Sequence, residues 1–109
     1  MALHQFKWGV AIHGSSYGLI KDNLLYNWAG SGLVTEDGAE SFNVIEGNFS
    51  VCGRGKGDRD AKGNEGVGFW FRGPNNYVRN NVASGFYNPN PESAYGFKIW
   101  QTYLGNIKV

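Results

Sequence analysis

Phe42-Asn43-Val44-Ile45-Glu46-Gly47-Asn48 is the stretch that decides the fold, because two other segments of the chain repeat its pattern. In each copy a branched aliphatic residue is followed by two variable residues, by asparagine and then by a further apolar stretch. The other copies are residues 17–23 and 76–81, and the final asparagines are 25 and then 33 residues apart. A repeat at such a period is typical of proteins built from stacked structural units.

A second series of segments alternates with the first. Each member begins with glycine and continues with alternating apolar positions, and the members are Gly9–His13, Gly32–Glu36, Gly68–Arg72 and Gly96–Trp100. Short strands with period-2 alternation favour a β-solenoid over a helical one, and the glycine steps of 23, 36 and 28 residues match single coils. No six-residue period of a left-handed β-helix is present. The sequence therefore predicts an all-β fold, a right-handed parallel β-helix of about four coils.

The composition excludes several classes of protein. The 109 residues, 17 of them glycine, have room for one module over residues 1–109. A net charge of +1 gives no basic face for nucleic acid, and no apolar run reaches the roughly 20 residues that span a bilayer. One cysteine forms neither an intrachain disulfide nor a multi-cysteine metal site. We expect no nucleic-acid partner, no membrane span, no metal site and no cofactor, and the sequence gives calcium no specific support.

Two irregular steps in the repeat indicate insertions. Residues 52–66 alternate charge with glycine and lack apolar periodicity, so they are predicted to form a projecting loop. This loop lacks the Gly-Lys-Ser/Thr ending of a phosphate cradle, which favours a solvated loop. Residues 86–93, with Pro89 and Pro91, are predicted to form a second insertion.

The recurrent asparagines are interpreted as structural. Asn23, Asn48 and Asn81 are expected at tight turns, where asparagine tolerates a left-handed backbone. Their amides are expected to stack from coil to coil as a hydrogen-bonded ladder.

The alternation within the glycine-led strands predicts which side chains share a face. Val10, Ile12, Leu33, Thr35, Phe69, Phe71, Phe97 and Ile99 are expected to point inward. Two files are expected to point outward, Ala11, Val34, Trp70 and Lys98 in the first and His13, Glu36, Arg72 and Trp100 in the second.

The outward files suggest a saccharide-binding face. His13, Trp70, Lys98 and Trp100 are candidate ligand-binding residues, because indoles stack on sugar rings and polar groups bind hydroxyls. Glu36 or Asp37 is a candidate acid or base, and Arg72 could neutralise a uronate. The alternative is structural: Glu36 and Arg72 form a surface ion pair, His13 caps a turn, and the tryptophans pack beneath an insertion or against a neighbouring domain.

The order of these segments resembles a known family. The matching segments are residues 13–14, 19–23, 36–40, 43–48, 69–76 and 80–85. Over residues 9–97 the chain is similar to the right-handed β-helix region of the cell-migration-inducing hyaluronan-degrading proteins and the fibrocystin-like receptors. The resemblance implies a pectate-lyase-like β-helix in an extracellular setting. It implies either polysaccharide hydrolase or lyase chemistry, or binding of carbohydrate or protein.

The ends of the chain suggest how the module is completed. No cap is evident at either end, and an uncovered coil presents unpaired backbone groups to water. We therefore expect a homo-oligomer or part of a longer chain. Two functions follow as hypotheses: a carbohydrate-active or carbohydrate-binding module acting on an extracellular polysaccharide, or a non-catalytic solenoid that self-associates through its open ends.

Overall fold

The computed structural model describes residues 8–55, 66–89 and 94–99. Within these ranges the chain forms ten short β-strands and no helix. The strands are β1 (Trp8–Ile12), β2 (Leu19–Lys21), β3 (Leu24–Tyr26), β4 (Ser31–Thr35), β5 (Val44–Glu46), β6 (Phe49–Val51), β7 (Phe69–Phe71), β8 (Tyr77–Arg79), β9 (Val82–Ser84) and β10 (Phe97–Ile99). The glycine-led segments form β1, β4, β7 and β10, and the asparagine repeat forms the strands between them.

The strands stack into three parallel sheets. The first sheet has the order β1-β4-β7-β10, the second β2-β5-β8 and the third β3-β6-β9. Every pairing joins equivalent positions of successive coils, as in Ile20↔Ile45 and Ile45↔Val78. The predicted parallel β-helix is therefore confirmed, and the alignment of the repeats in the sequence is also the register of the strands.

The core fills the space between the three sheets. Its buried apolar residues are Ile12, Leu25, Trp28, Leu33, Ile45, Phe69, Phe71 and Val78. Phe97 of the last described strand stacks on Phe69 at 4.9 Å between ring centroids, as the predicted inward file requires. Thr35 also points inward, and its hydroxyl accepts hydrogen bonds from the backbone N–H groups of Arg72 and Gly73 at 2.7 and 2.9 Å.

Each corner of the coil is made by a residue with a left-handed backbone. The corner positions are Tyr17, Phe42 and Asn75 before the second sheet, Asp22, Gly47 and Asn80 before the third, and Asn27, Cys52 and Gly85 after it, with φ between 55° and 71°. The prediction that Asn23, Asn48 and Asn81 adopt this conformation is wrong by one position. The preceding residue makes the turn, and the asparagine side chain is thereby directed towards the next coil.

The predicted asparagine ladder is present. The Nδ2 group of Asn23 donates to Asn48 Oδ1 at 3.0 Å, and Asn48 Nδ2 donates to Asn81 Oδ1 at the same distance. A second ladder, which the sequence analysis did not identify, runs from Gly18 N through Asn43 to Asn76 with bonds of 2.8 and 3.0 Å. In both ladders a side-chain oxygen also accepts a backbone N–H of the neighbouring coil.

The predicted loops begin later than their sequence boundaries. Of the segment 52–66, residues 52–55 belong to the coil, since Arg54 N donates to Trp28 O at 2.8 Å. Residues 56–65 lie outside the described part of the chain. Of the segment 86–93, Phe86 packs on the core and Tyr87 pairs with Arg54 in a parallel bridge. Among the described residues there is no helix long and apolar enough to cross a bilayer.

Candidate functional site

Three candidate residues lie directly after three neighbouring strands of the first sheet. His13 follows β1, Glu36 follows β4 and Arg72 follows β7. The backbone hydrogen bonding between these strands continues beyond their ends, because Glu36 N donates to Ile12 O at 2.9 Å. The structure therefore brings together the outward file predicted from the sequence, apart from Trp100, which lies outside the described residues.

His13 is held between two carboxylates of the next coil. Its Nδ1 lies 2.9 Å from Glu36 Oε2 and 3.3 Å from Asp37 Oδ2. The hydrogen bond to Glu36, reinforced by the charges of Asp37 and Glu36, raises the pKa of His13 above its ordinary value of 6.5. The side chains of His13 and Asp37 are 69% and 44% exposed, so this charge cluster is open to a ligand.

Glu40 anchors the cluster from below, and the sequence analysis did not select it. Its buried carboxylate accepts backbone N–H bonds from Gly14 at 3.2 Å, Asp37 at 2.7 Å and Gly38 at 2.8 Å. Burial opposes its ionisation, but these N–H donors outweigh burial and lower the pKa of Glu40. The bonds tie the turn after His13 to the turn after Glu36. An acid shortly after the Asp37-Gly38 turn was the available sequence signal.

Arg72 is engaged with protein groups. Its Nη1 donates to the backbone carbonyl of Glu36, and its guanidinium carbon lies 5.6 Å from the centre of the Trp70 ring. The contact with Glu36 is thus to a carbonyl and not the carboxylate pairing considered above. These contacts place the guanidinium beside the Glu36 turn and commit part of its donor capacity to the fold.

Trp70 lies in the predicted outward file, but its ring is only 1% exposed. It forms a second buried cluster with Val34 and Val67, and Trp8 packs against this cluster. The prediction of Trp70 as an exposed stacking surface is therefore wrong, because Val34, Val67 and Trp8 pack with its indole. Lys98 belongs to the same file, and its Nζ lies 4.9 Å from the centre of the Trp70 ring.

The exposed aromatic side chains near the cluster are Tyr17 and Phe42, which the sequence analysis did not select. Their rings stack at 5.3 Å between centroids with planes 18° apart. Tyr17 is 79% exposed and Phe42 is 46% exposed. Tyr17 lies four residues after His13 in the chain, so their backbones are at most about 14 Å apart. The sequence signal was their equivalent position in the asparagine repeat, immediately before the aliphatic strand.

Within residues 8–55, 66–89 and 94–99, no group of three or more His, Cys, Asp or Glu side chains has the spacing to hold a metal ion. An imidazole and carboxylates in a hydrogen-bonded cluster can accept hydrogen bonds from the hydroxyl groups of a ligand and can exchange protons with it.

Comparison with known proteins identifies the family. A family model described as the CEMIP beta-helix matches residues 2–90. The chain belongs to the CEMIP β-helix family. This confirms the resemblance seen in the sequence and agrees with the three stacked parallel sheets.

Two curated relatives share one name. The chain is 29% identical over 85 residues to Fibrocystin-L of Mus musculus and to Fibrocystin-L of Homo sapiens. The aligned region is 77% of this chain and 2% of each relative, so the chain spans a small part of the proteins it matches. No solved structure matches the chain.

Proposed function

We propose that this CEMIP-family chain is a glycan-binding β-helix module. Its binding surface, here called the corner surface, consists of His13, Glu36, Asp37, Tyr17 and Phe42. The observation that carries the proposal is the joint presence, at one corner of the coil, of an exposed hydrogen-bonding cluster and an exposed pair of stacked aromatic rings.

The chemistry of the corner surface suits a saccharide. Carboxylate oxygens of Glu36 and Asp37 accept hydrogen bonds from sugar hydroxyls, and protonated His13 has a second N–H donor on Nε2. The exposed face of the Tyr17 ring can cover the apolar face of a sugar ring. Glu40 fixes the two turns relative to each other, so the cluster does not need to be ordered when the ligand binds.

The resemblance to the family also favours glycan binding. The resemblance implies an extracellular polysaccharide as the ligand class, and the proposal narrows this to recognition through the corner surface. The two Fibrocystin-L relatives are matched over 2% of their length. The polysaccharide ligand and the extracellular setting are therefore part of the proposal for this chain.

Glycan-array binding tests this proposal. We expect binding by the wild-type chain, at least a roughly tenfold loss for Tyr17→Ala, and retention by Tyr26→Ala, an exposed tyrosine on the third sheet. Absence of binding to any polysaccharide, or equal loss in the two variants, would overturn it.

Turnover is a separate question with its own measurement. Glu36 or Asp37 as acid or base, with Arg72 beside the Glu36 turn, is the catalytic arrangement that we propose if the module acts on a uronate polymer. Hydrolysis would produce reducing ends and elimination would produce unsaturated sugars that absorb in the ultraviolet. We expect Glu36→Gln to abolish either product while Glu46→Gln, on the second sheet, leaves it unchanged. A wild-type chain that binds glycan and yields neither product is a binding module.

A second candidate function is supported by the outer face of the third sheet. Its outward residues are Leu24, Tyr26, Phe49, Val51, Val82 and Ser84, none of which is charged. Phe49 is 50% exposed and Leu24 is 54% exposed. Exposed apolar patches commonly mark interaction surfaces, so this face favours an interaction module.

Sedimentation over a range of protein concentrations distinguishes the two modes of self-association. If the third sheet mediates assembly, Phe49→Glu makes the chain monomeric and Lys21→Glu does not. If the open ends mediate assembly, both variants associate like the wild type. A wild-type chain that stays monomeric throughout contradicts both.

A further inference from the structure

A groove of about 450 Å³ lies at the third corner of the coil, away from the corner surface. Its lining consists of Cys52, Arg54, Gly55, Gly85 and Tyr87. Cys52 and Gly85 are corner residues with left-handed backbones, while Arg54 and Tyr87 face each other on neighbouring coils. The groove is thus formed by one coil's turn and the matching turn of the next.

Backbone hydrogen bonds fix the positions of Arg54 and Tyr87 on the two neighbouring coils. Tyr87 N donates to Gly53 O at 2.9 Å, and Gly55 N donates to Tyr87 O at 2.7 Å, so the two bonds bracket Arg54. Gly53 lies against the buried Trp28 indole, where an added Cβ would come within 2.6 Å of a ring atom. Arg54 and Tyr87 therefore project from an anchored part of the coil.

Gly85 is suited to this corner by its backbone conformation. A Cβ added to it would lie in ordinary van der Waals contact with Cys52, 3.6 Å from the backbone nitrogen and the Sγ. The φ of +71° at Gly85 disfavours a larger residue. The thiol of Cys52 is half-buried and contributes a small apolar wall.

Arg54 gives the groove its charge. Its side chain is exposed, and no carboxylate of the described residues lies within ion-pair distance of its guanidinium. Arg79, by contrast, pairs with Glu46 at 3.3 Å on the second sheet. Tyr87, 63% exposed, is the residue of the neighbouring coil that pairs with Arg54, and both side chains line the groove.

We propose that this groove binds a small ligand in which a ring carries a carboxylate. The guanidinium of Arg54 can make two parallel hydrogen bonds to a carboxylate, and the ring of the ligand can lie against Tyr87. Two sources share this chemistry, an acidic saccharide and an aromatic acid. The site is separate from the corner surface, so it stands whether or not the corner surface binds a glycan.

Titration of the isotope-labelled full chain, followed by amide NMR, tests the proposal. The probes are methyl glucuronide and phenylacetate, and their neutral counterparts methyl glucoside and benzyl alcohol are the controls. We expect a dissociation constant in the millimolar range for at least one acid, typical of a ligand this small. Shifts should concentrate at the amides of Cys52, Arg54, Gly55, Gly85 and Tyr87.

Matched variants identify the groups responsible. Arg54→Gln should weaken binding of the acid about fivefold or more, because it removes a charge-assisted pair while keeping a polar side chain. Arg79→Gln, which removes an arginine already paired with Glu46, should leave binding unchanged. Both variants should retain the dispersed amide spectrum of the wild type.

The outcomes distinguish the two ligand sources and define the results that would overturn the proposal. Binding of the glucuronide alone assigns a saccharide, binding of phenylacetate alone assigns an aromatic acid, and binding of both assigns the shared chemistry. Equal binding of the neutral compounds, shifts confined to residues near His13, or identical affinity in Arg54→Gln overturns the proposal. Loss of glycan binding in Tyr17→Ala with unchanged groove binding affects only the proposed function.

Discussion

The asparagine ladders and the corner surface both join neighbouring coils through polar side chains. They differ in burial, and this difference gives them different roles. Asn48 is 0% exposed, and its side chain bonds to groups on both adjacent coils. His13 reaches Glu36 across the same coil spacing with a side chain that is 69% exposed. A buried polar contact satisfies groups that water cannot reach and so stabilises the fold, whereas an exposed one leaves its groups available to a ligand.

The largest expected effect is on the buried side of this comparison. Asn48→Ala leaves the Asn23 backbone N–H and the Ile20 carbonyl without their side-chain partners. We expect a loss of about 2–4 kcal/mol in the free energy of unfolding, measured by denaturant titration. Asn23→Ala, at the exposed end of the same ladder, is the matched variant and should cost about 1 kcal/mol. Equal costs would show that burial does not set the contribution.

Glu40 belongs to both sides of this comparison, because its buried carboxylate holds the turns that carry the exposed cluster. Glu40→Gln places an amide N–H₂ against backbone N–H donors, and we expect a loss of about 1–2 kcal/mol at neutral pH. The pKa of Glu40 is lowered in the folded state, so its stabilisation is present above the ordinary value of 4.5 and is lost as the pH falls through the lowered pKa.

The difference between wild type and Glu40→Gln should therefore shrink in acid, as unfolding titrations at about pH 7 and about pH 3 would show. Glu46→Gln, which removes the carboxylate that pairs with Arg79, is the control variant for this comparison. A difference that stays constant with pH would contradict the role of the ionised carboxylate.

On the exposed side, the expected effect is on titration and not on stability. Glu36→Gln removes the hydrogen bond that contributes most to the raised pKa of His13, so that pKa should fall towards 6.5. An NMR titration of the His13 ring measures it, with Glu46→Gln as a variant that should leave the value unchanged. An unaltered His13 pKa in Glu36→Gln would mean that the pairing does not persist in solution.

The smallest expected effect is the dependence of stability on pH above neutrality. The folded-state pKa of His13 is raised, so its stabilising contribution is complete below the ordinary value of 6.5 and is lost as the pH rises through the raised pKa. Wild type should show a small fall in unfolding free energy between about pH 5.5 and about pH 8.5 that His13→Gln lacks. An identical fall in both proteins would assign it to other groups.

Much of the fold was predictable because the repeat spacing carries it. The two series of segments predicted the strands, their register and the ladder through Asn48, since parallel coils place equivalent residues side by side. The predicted position of the left-handed turn was one residue too late. The spacing between the aliphatic residue and the asparagine does not show which residue makes the turn, and in the second coil it is Gly47.

The site was predictable only in part. Strand alternation placed His13 and Glu36 in one file, and in the structure His13 Nδ1 lies 2.9 Å from Glu36 Oε2. Alternation gives the direction of a side chain and not what packs against it, so it could not show that Trp70 is buried with Val34 and Val67. Glu40 was missed because its role depends on backbone N–H groups of a turn, which leave no pattern of side chains.

The spacing of the strands has a consequence for how this architecture can vary. Two residues join the second sheet to the third in each described coil, whereas the connections from the third sheet back to the first contain 4, 17 and 12 residues. The connection from the second sheet to the third is fixed in length by its left-handed turn and its ladder asparagine, so an added residue would misplace both. The connection from the third sheet to the first accommodates length changes without altering the register of the strands. It is therefore the place where new peptide segments can be inserted without disturbing the coil.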